Sequence, residues 1–587
     1  MSSIWIFIVS LIIFNQYIST EAACYFPQDY QGEFAMQNTF SKNTVHYATV
    51  NITATGIPIW GNCHRRIGNN FILVVDLPGS SCIRCLHLKL QSKNVLQVLS
   101  SSKEVISKCY TNEELAEANC PTEESLRTRS TTELILFKMR GAEGKHISRE
   151  YCPLDGRYSF TYRSNDHGSK KDCGHESTVD SCPSGSSLTF KYRQCSFGSL
   201  DLKFDCLGHW EGVGGQRYLA LADSRQSMGK PQYRCALYKP DPSTGLINIA
   251  ISRDSTCTGD LHNATHGYEN YVLRPSDERV WPPEVSYSSC SFPDWMRGTW
   301  EHIRVEDNTI TYKDHSTFKT YTIKCVAMME SNDKYSVLSR TQCGEEQFNC
   351  MRIQKRSNNI LEFQLGANFS DHNDIFELCA DTNFQDDAWI TQGRVVPGVE
   401  LACPISGEYT GMIPDTNDLC AKLWSDCRAP ELMYYQVSDC ATNEIYEERE
   451  YRCLGHWRER DLLYTYTQRH DVAAGTYECF VGSIVSSKED IYITEAGEHC
   501  QRRIDPLQYG MKLVKKGLYS CIERVPTTKR PTTPRTQMPT KPWNIGVPFP
   551  TIPDYSDNNI NSALGMRANV FSCLFLVIVT IVMSCKW

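Results

Sequence analysis

Two stretches of this chain carry seven cysteines in the same order, and no other feature constrains its fold as tightly. Cys152, Cys173, Cys182, Cys195, Cys206, Cys235 and Cys257 are separated by steps of 21, 9, 13, 11, 29 and 22 residues. Cys403, Cys420, Cys427, Cys440, Cys453, Cys479 and Cys500 follow with steps of 17, 7, 13, 13, 26 and 21. Both stretches open with Cys-Pro-x-x-Gly-x-Tyr, at Cys152 to Tyr158 and Cys403 to Tyr409, and both place Cys-Leu-Gly-His-Trp at the fifth cysteine. Such self-similarity marks a duplicated structural unit. Two further segments open with CYFPQDYQGEF at Cys24 and CSFPDWMRGTW at Cys290, sharing Phe26-Pro27 with Phe292-Pro293 and Gly32-Glu-Phe34 with Gly298-Thr-Trp300. The spacing from opening cysteine to glycine runs 8, 4, 8, 4 along the chain, so two kinds of module, A and B, alternate. Cysteine order supports the A pairing less closely: Cys24, Cys63, Cys82, Cys85, Cys109 and Cys120 stand against Cys290, Cys325, Cys343, Cys350 and Cys379.

The chain has 28 cysteines in 587 residues. Cys573 and Cys585 lie in an apolar tail, and the other 26, ending at Cys521, are expected to form disulfides, as in small modules of the secretory route. Their connectivity stays open. Strict alternation in Leu200 to Cys206 reads as a strand with one buried face. Thr309 to Tyr312, Lys319 to Met329, Tyr335 to Arg340, Ile360 to Leu365 and Phe71 to Asp76 are rich in β-branched and aromatic residues and read likewise. The one helical candidate, Thr111 to Ala118, is short. The expected fold is mostly β: four tandem, disulfide-stapled antiparallel modules in ABAB order, A1 over 23–149, B1 over 150–287, A2 over 288–401 and B2 over 402–524.

Residues 1–22 resemble a secretory signal peptide, with an apolar run from Ile4 to Phe14 and Thr20 and Ala22 placed for cleavage. Residues 525–560 form a Pro/Thr-rich stalk that, extended as polyproline II over Val525 to Pro553, reaches about 90 Å. The run Val570 to Met583 is shorter than the ~20 residues of a membrane-spanning helix. A removable propeptide over 561–587, with a lipid anchor attached at Asn561 (alternatives Ser556, Asp557 and Ser562), is favoured over a short transmembrane segment. The expected location is the outer face of the plasma membrane, and the lipid is the link to the bilayer.

A net charge of −8 supplies no basic field for nucleic acid. Cys82-Ile-Arg-Cys85 has thiol-oxidoreductase spacing, but the alternating sequence after it is that of a strand, whereas the redox motif opens a helix. Gly-x-Ser-x-Gly, His-Glu-x-x-His and phosphate-loop patterns are absent, so no catalytic residue, metal or cofactor is implied. In the repeated motif, disulfide use of Cys206 and Cys453 denies His209 and His456 a Cys/His metal site. Trp210 and Trp457 are expected to bury their rings beside the bridge, and Gly208 and Gly455 to allow close backbone approach. Three sequons, Asn51-Ile-Thr53, Asn263-Ala-Thr265 and Asn368-Phe-Ser370, are candidate glycan sites.

The alternation of Cys-x-Phe-Pro with Cys-Pro-x-x-Gly-x-Tyr, and Cys-Leu-Gly-His-Trp followed by Tyr233 to Cys235 or Tyr477 to Cys479, resembles a family of uncharacterised four-module cysteine-rich proteins of invertebrates. The resemblance spans residues 24–521 and implies a cell-surface or secreted ectodomain without supplying an activity. Gly298-Thr-Trp300 is also similar to the first-strand Gly-x-Trp of lipocalins, which implies a barrel holding small apolar ligands. The leading expectation is a non-enzymatic ectodomain that binds an extracellular protein or glycan; the alternative is a carrier of small apolar molecules.

Overall fold

The computed structural model describes residues 24–516, apart from short internal stretches. Each module is one antiparallel sheet of eight strands in up-and-down order. In B1 the sheet closes into a barrel between its first strand (Arg157–Ser164) and its last (Glu269–Pro275); in B2 between Glu408–Met412 and Met511–Lys516. In A2 a bridge from Trp300 to Arg394 joins the two ends, whereas A1 stays open between its second strand (Thr44–Ile52) and its third (Gly56–Ile57). Strand propensity and alternation produce these hairpins, and each module fills its own interior with side chains. B1 packs Phe160, Phe190, Tyr192 and Tyr271 into its centre, and the hydroxyls of Tyr192 and Tyr271 bond each other at 2.8 Å.

The disulfides disclose a kinship that the alternating motifs hide. In all four modules the opening cysteine bonds a cysteine on the fourth strand: Cys24–Cys63, Cys152–Cys206, Cys290–Cys325 and Cys403–Cys453. A β-bulge follows that second cysteine every time, at Cys63/Arg65, Cys206/Gly208, Cys325/Ala327 and Cys453/Gly455. In all four a sixth-strand cysteine bonds one in the connection between strands seven and eight: Cys85–Cys120, Cys235–Cys257, Cys350–Cys379 and Cys479–Cys500. A and B are therefore variants of one eight-stranded sheet with a common disulfide framework, closed into a barrel in the B modules. The remaining bridges are particular: Cys82–Cys109 in A1, Cys173–Cys195 and Cys420–Cys440 in the B modules, and Cys182–Cys343, which joins B1 to A2. Cys427 and Cys521 lie outside the described residues.

The sequence-predicted strands are present, and the helical candidate is a helix over Glu113–Ala118, where the Asn112 side chain accepts the Leu115 N–H. Cys82 and Cys85 sit on one strand, Ser80–Ser92, and bond different partners, so they are not a dithiol pair. Among the described residues no helix is long and apolar enough to cross a membrane. The expected signal peptide and stalk, and the candidate attachment residues Ser556, Asp557, Asn561 and Ser562, lie outside the described residues.

Candidate functional site

The Cys-Leu-Gly-His-Trp motif is where each B module receives its A module. On the fourth strand of B1, Leu200–Glu211, Cys206 faces the barrel interior; the bulge after it turns Leu207 to the outside. The Leu207 carbonyl accepts a hydrogen bond from Ser92 Oγ of A1 at 2.9 Å. In B2 the Leu454 carbonyl accepts from Ser357 Oγ of A2 at 3.2 Å. In each A module the same hydroxyl also accepts an N–H two residues on, from Asn94 or Asn359, so one serine braces its own turn and the neighbouring module.

The glycine follows from this contact. Gly208 has φ 146° and Gly455 φ 153°, a region that side chains seldom enter. A Cβ on Gly208 would stand 2.1 Å from Ser92 Oγ, and one on Gly455 2.6 Å from Ser357 Oγ. The expected close approach is real, and what approaches is the next module. Trp210 does not pack beside the bridge: Cys206 lies in the barrel interior, while Trp210 lies on the outer face, stacked on Tyr218 at 5.4 Å. Trp457 repeats this on Tyr464 at 5.4 Å. His209 and His456 are exposed, and among the described residues no cluster of His, Cys, Asp or Glu is arranged to hold a metal.

Around the shared serine contact the two docking sites differ. Between A1 and B1 the interface is apolar: Val95, Ile135 and Phe137 pack against Leu207, Ala220 and Tyr233, with Phe137 stacked on Tyr233 at 4.9 Å. Tyr47, Gln37 and their partners add polar contacts at the edge, including Gln37 Nε2 to Asp254 Oδ2 at 2.8 Å. Between A2 and B2 lies a buried ion network. Glu362, wholly buried, meets Arg356 at 2.5 Å and Arg502 at 2.8 Å, and Glu459 meets both arginines at 3.0 and 3.1 Å. Thr391 Oγ1 donates to Glu362 at 2.8 Å, and Tyr466 donates to Glu301 of A2 at 2.7 Å. Although burial opposes the charge on Arg502, its hydrogen bonds to the two glutamates raise its pKa above the usual arginine value.

B1 and A2 meet through different elements. Cys182–Cys343 ties two loops, Tyr151 Oη donates to the carbonyls of Asp314 and Lys319 at 2.8 and 3.0 Å, and Lys313 pairs with Asp155 at 3.1 Å. The sequons Asn51, Asn263 and Asn368 are all exposed.

The sequence reading missed the A-side half of the contact. Its signal was present: QSKNVLQV in A1 and RSNNILEF in A2 share Ser-x-Asn followed by an apolar strand, which places Ser92 opposite Ser357 and Asn94 opposite Asn359. Lining up the A modules on the segment before strand seven, rather than on their cysteines, exposes it.

Four family models match in tandem, one per module: a domain of unknown function (DUF7044) over residues 22–125, another (DUF7042) over 148–275, a third (DUF7043) over 286–391 and a fourth (DUF7045) over 403–506. The first and last of these stop before the strand that completes the sheet. The tandem arrangement fits a four-module repeat family of uncharacterised proteins. No curated protein and no solved structure matches the chain.

Proposed function

We propose that this chain is a non-enzymatic, lipid-anchored glycoprotein ectodomain whose linked barrels form a stiff platform for an extracellular protein or glycan. The observation that supports it best is the docking of each module onto the next through dedicated contacts, reinforced by a disulfide between B1 and A2. Rigid modules with filled interiors present surface without spending binding energy on ordering themselves. The signal-peptide-like residues 1–22, the Pro/Thr-rich stretch 525–560 and the apolar run from Val570 support a platform outside the cell and held away from the membrane. Full-length chain expressed on cells and treated with phosphatidylinositol-specific phospholipase C is expected to release the ectodomain into the medium, in a form that binds other cells. Retention on the surface with confirmed enzyme activity and no resistant anchor overturns the lipid attachment, and turnover of a substrate by pure ectodomain overturns the non-enzymatic reading.

The eight-stranded up-and-down topology favours a second reading, a carrier of small apolar molecules. Against it stand the aromatic side chains that occupy the B1 interior. Native mass spectrometry of the ectodomain decides it: a co-purified lipid restores the carrier.

A further inference from the structure

A cleft of about 690 Å³ runs across the strand ends of A1 beneath the segment that leads to B1, lined by Asp29, Asn51, Lys93, Asn94, Lys138 and Lys145 among others. Its size lies within the ~300–1,000 Å³ typical of small-ligand sites. Two of its groups are buried without spending their hydrogen-bonding capacity, and the duplicate in A2 shows what satisfaction looks like.

Lys138 and Arg394 are equivalent. Each stands opposite the aromatic of Gly-x-Phe or Gly-x-Trp, and their N–H groups donate to the carbonyls of Asn94 and Asn359 respectively. In A2 the Arg394 guanidinium lies 4.2 Å from the Trp300 ring centroid and donates to the carbonyls of Arg297 and Trp295, while Asn359 accepts the Gly398 N–H and donates to Val399. In A1 the Lys138 ammonium keeps the ring contact, 5.3 Å from the Phe34 centroid, but with three donors it reaches one carbonyl, Asp29 at 2.8 Å, and makes no ion pair within 4 Å among the described residues. The Asn94 amide donates to Ser148, but its carbonyl oxygen, on a residue 1% exposed, has no donor among the described residues. A buried polar atom left so carries its desolvation penalty in full, and a ligand that supplies the missing partner recovers it. Burial also pulls the Lys138 pKa down, against the smaller opposing pull of the Asp29 charge.

The missing partners define a chemistry. Asn94 Oδ1 needs a donor such as a hydroxyl; Lys138, with exposed Lys93 and Lys145 at the rim, needs an anion. Asp29 and Glu33 oppose these cations and Glu150 faces Lys93, but Glu33 lies 3.9 Å from Arg140 and burial raises the Glu150 pKa. We infer that this cleft binds an acidic sugar residue of an extracellular glycan, its carboxylate or sulfate toward the lysines and a ring hydroxyl on Asn94. This rests on the binding-platform reading and deepens it by naming the ligand class.

The test uses the released, glycosylated ectodomain in calorimetry against a glucuronic-acid-containing oligosaccharide, sialyllactose and, as the neutral control, lactose. At least one acidic probe is expected to bind, lactose is not, and the exposed-residue double variant Lys93→Ala/Lys145→Ala weakens binding at least tenfold with an unchanged unfolding midpoint. Equal affinity for lactose, no binding of either acidic probe, or binding unchanged in the double variant overturns the proposal. So does acidic-sugar binding that emerges only in Asn51→Gln, because the glycan on Asn51 then occupies the cleft itself. An ectodomain that binds cells but fails these tests leaves the platform reading standing; one that binds neither cells nor sugars removes both.

Discussion

The A1–B1 and A2–B2 joints share one serine-to-carbonyl contact, one glycine and a small apolar patch, Val95, Leu207 and Tyr233 in the first and Ile360, Leu454 and Tyr477 in the second, and they differ around it. Aligned on that contact, Phe137 of A1 corresponds to Gly393 of A2, and Ala220 of B1 to Tyr466 of B2. In the first pair the A module supplies the ring, stacked on Tyr233. In the second the B module supplies it, with Tyr466 on Tyr477 at 6.1 Å, and a Cβ on Gly393 would come within 2.7 Å of the Tyr477 ring. The polar positions trade in the same way. Arg356 and Glu362 correspond to Gln91 and Gln97, which bond each other at 2.6 Å, and Glu459 and Arg502 correspond to Gly212 and Gly259. An exchanged pairing would bring two aromatic side chains together at one joint and two small residues at the other. Duplication preserved the anchor, and the surroundings diverged as matched sets.

The sharpest attack on this comparison is the exchange of the ring. Phe137→Gly alone is expected to cost the A1–B1 joint about 3–5 kcal/mol, and Ala220→Tyr in the same chain to restore part of it. A double-mutant cycle read by hydrogen exchange at Tyr233 measures the coupling; strict additivity breaks the claim of matched sets.

At the second joint, Arg502→Met leaves Glu362 and Glu459 to share Arg356, with an expected loss of about 3 kcal/mol. Protection of the A2–B2 amides then falls while A1–B1 is untouched. Equal loss at both joints would mean that the two do not act independently.

The shared element gives a smaller effect. Gly208→Ala and Gly455→Ala each force strain at the bulge and crowd the serine, expected at roughly 1–3 kcal/mol. The larger loss belongs to Gly208, where the contact is closer. Thermal unfolding of both variants ranks them.

The smallest expected effect tests whether divergence reaches inside the barrels. Glu495 stands where B1 has Ile251 in its core. Burial, with the nearby Glu478 charge, pushes its pKa up to about 7. A raised folded pKa means that the stability tied to the protonated form is full below the unfolded value near 4.5 and is lost as pH rises through 7. Glu495→Gln is therefore expected to match the parent at pH 4.5 and exceed it by roughly 1–2 kcal/mol at pH 8.

The sequence disclosed the β class and the alternation because both rest on local signals: period-two burial in strands such as Leu200–Glu211, and cysteine order. It concealed the framework that A and B have in common. Helical insertions such as Glu113–Ala118 and unequal loops change the cysteine spacings, although the paired strands are the same. The meaning of the repeated motif was half legible. Its glycine announced a close approach, but the approaching Ser92 lies 115 residues before Leu207, and nothing local says which surface a bulge turns outward.

The Cys182–Cys343 bridge also has a mechanical side. It closes a loop of 161 residues of separation that holds most of B1 and much of A2. When the chain is pulled from its two ends, tension crosses that bond and bypasses the enclosed chain. Only the segments outside the loop can be drawn out, so the middle of the platform keeps its shape while its ends yield.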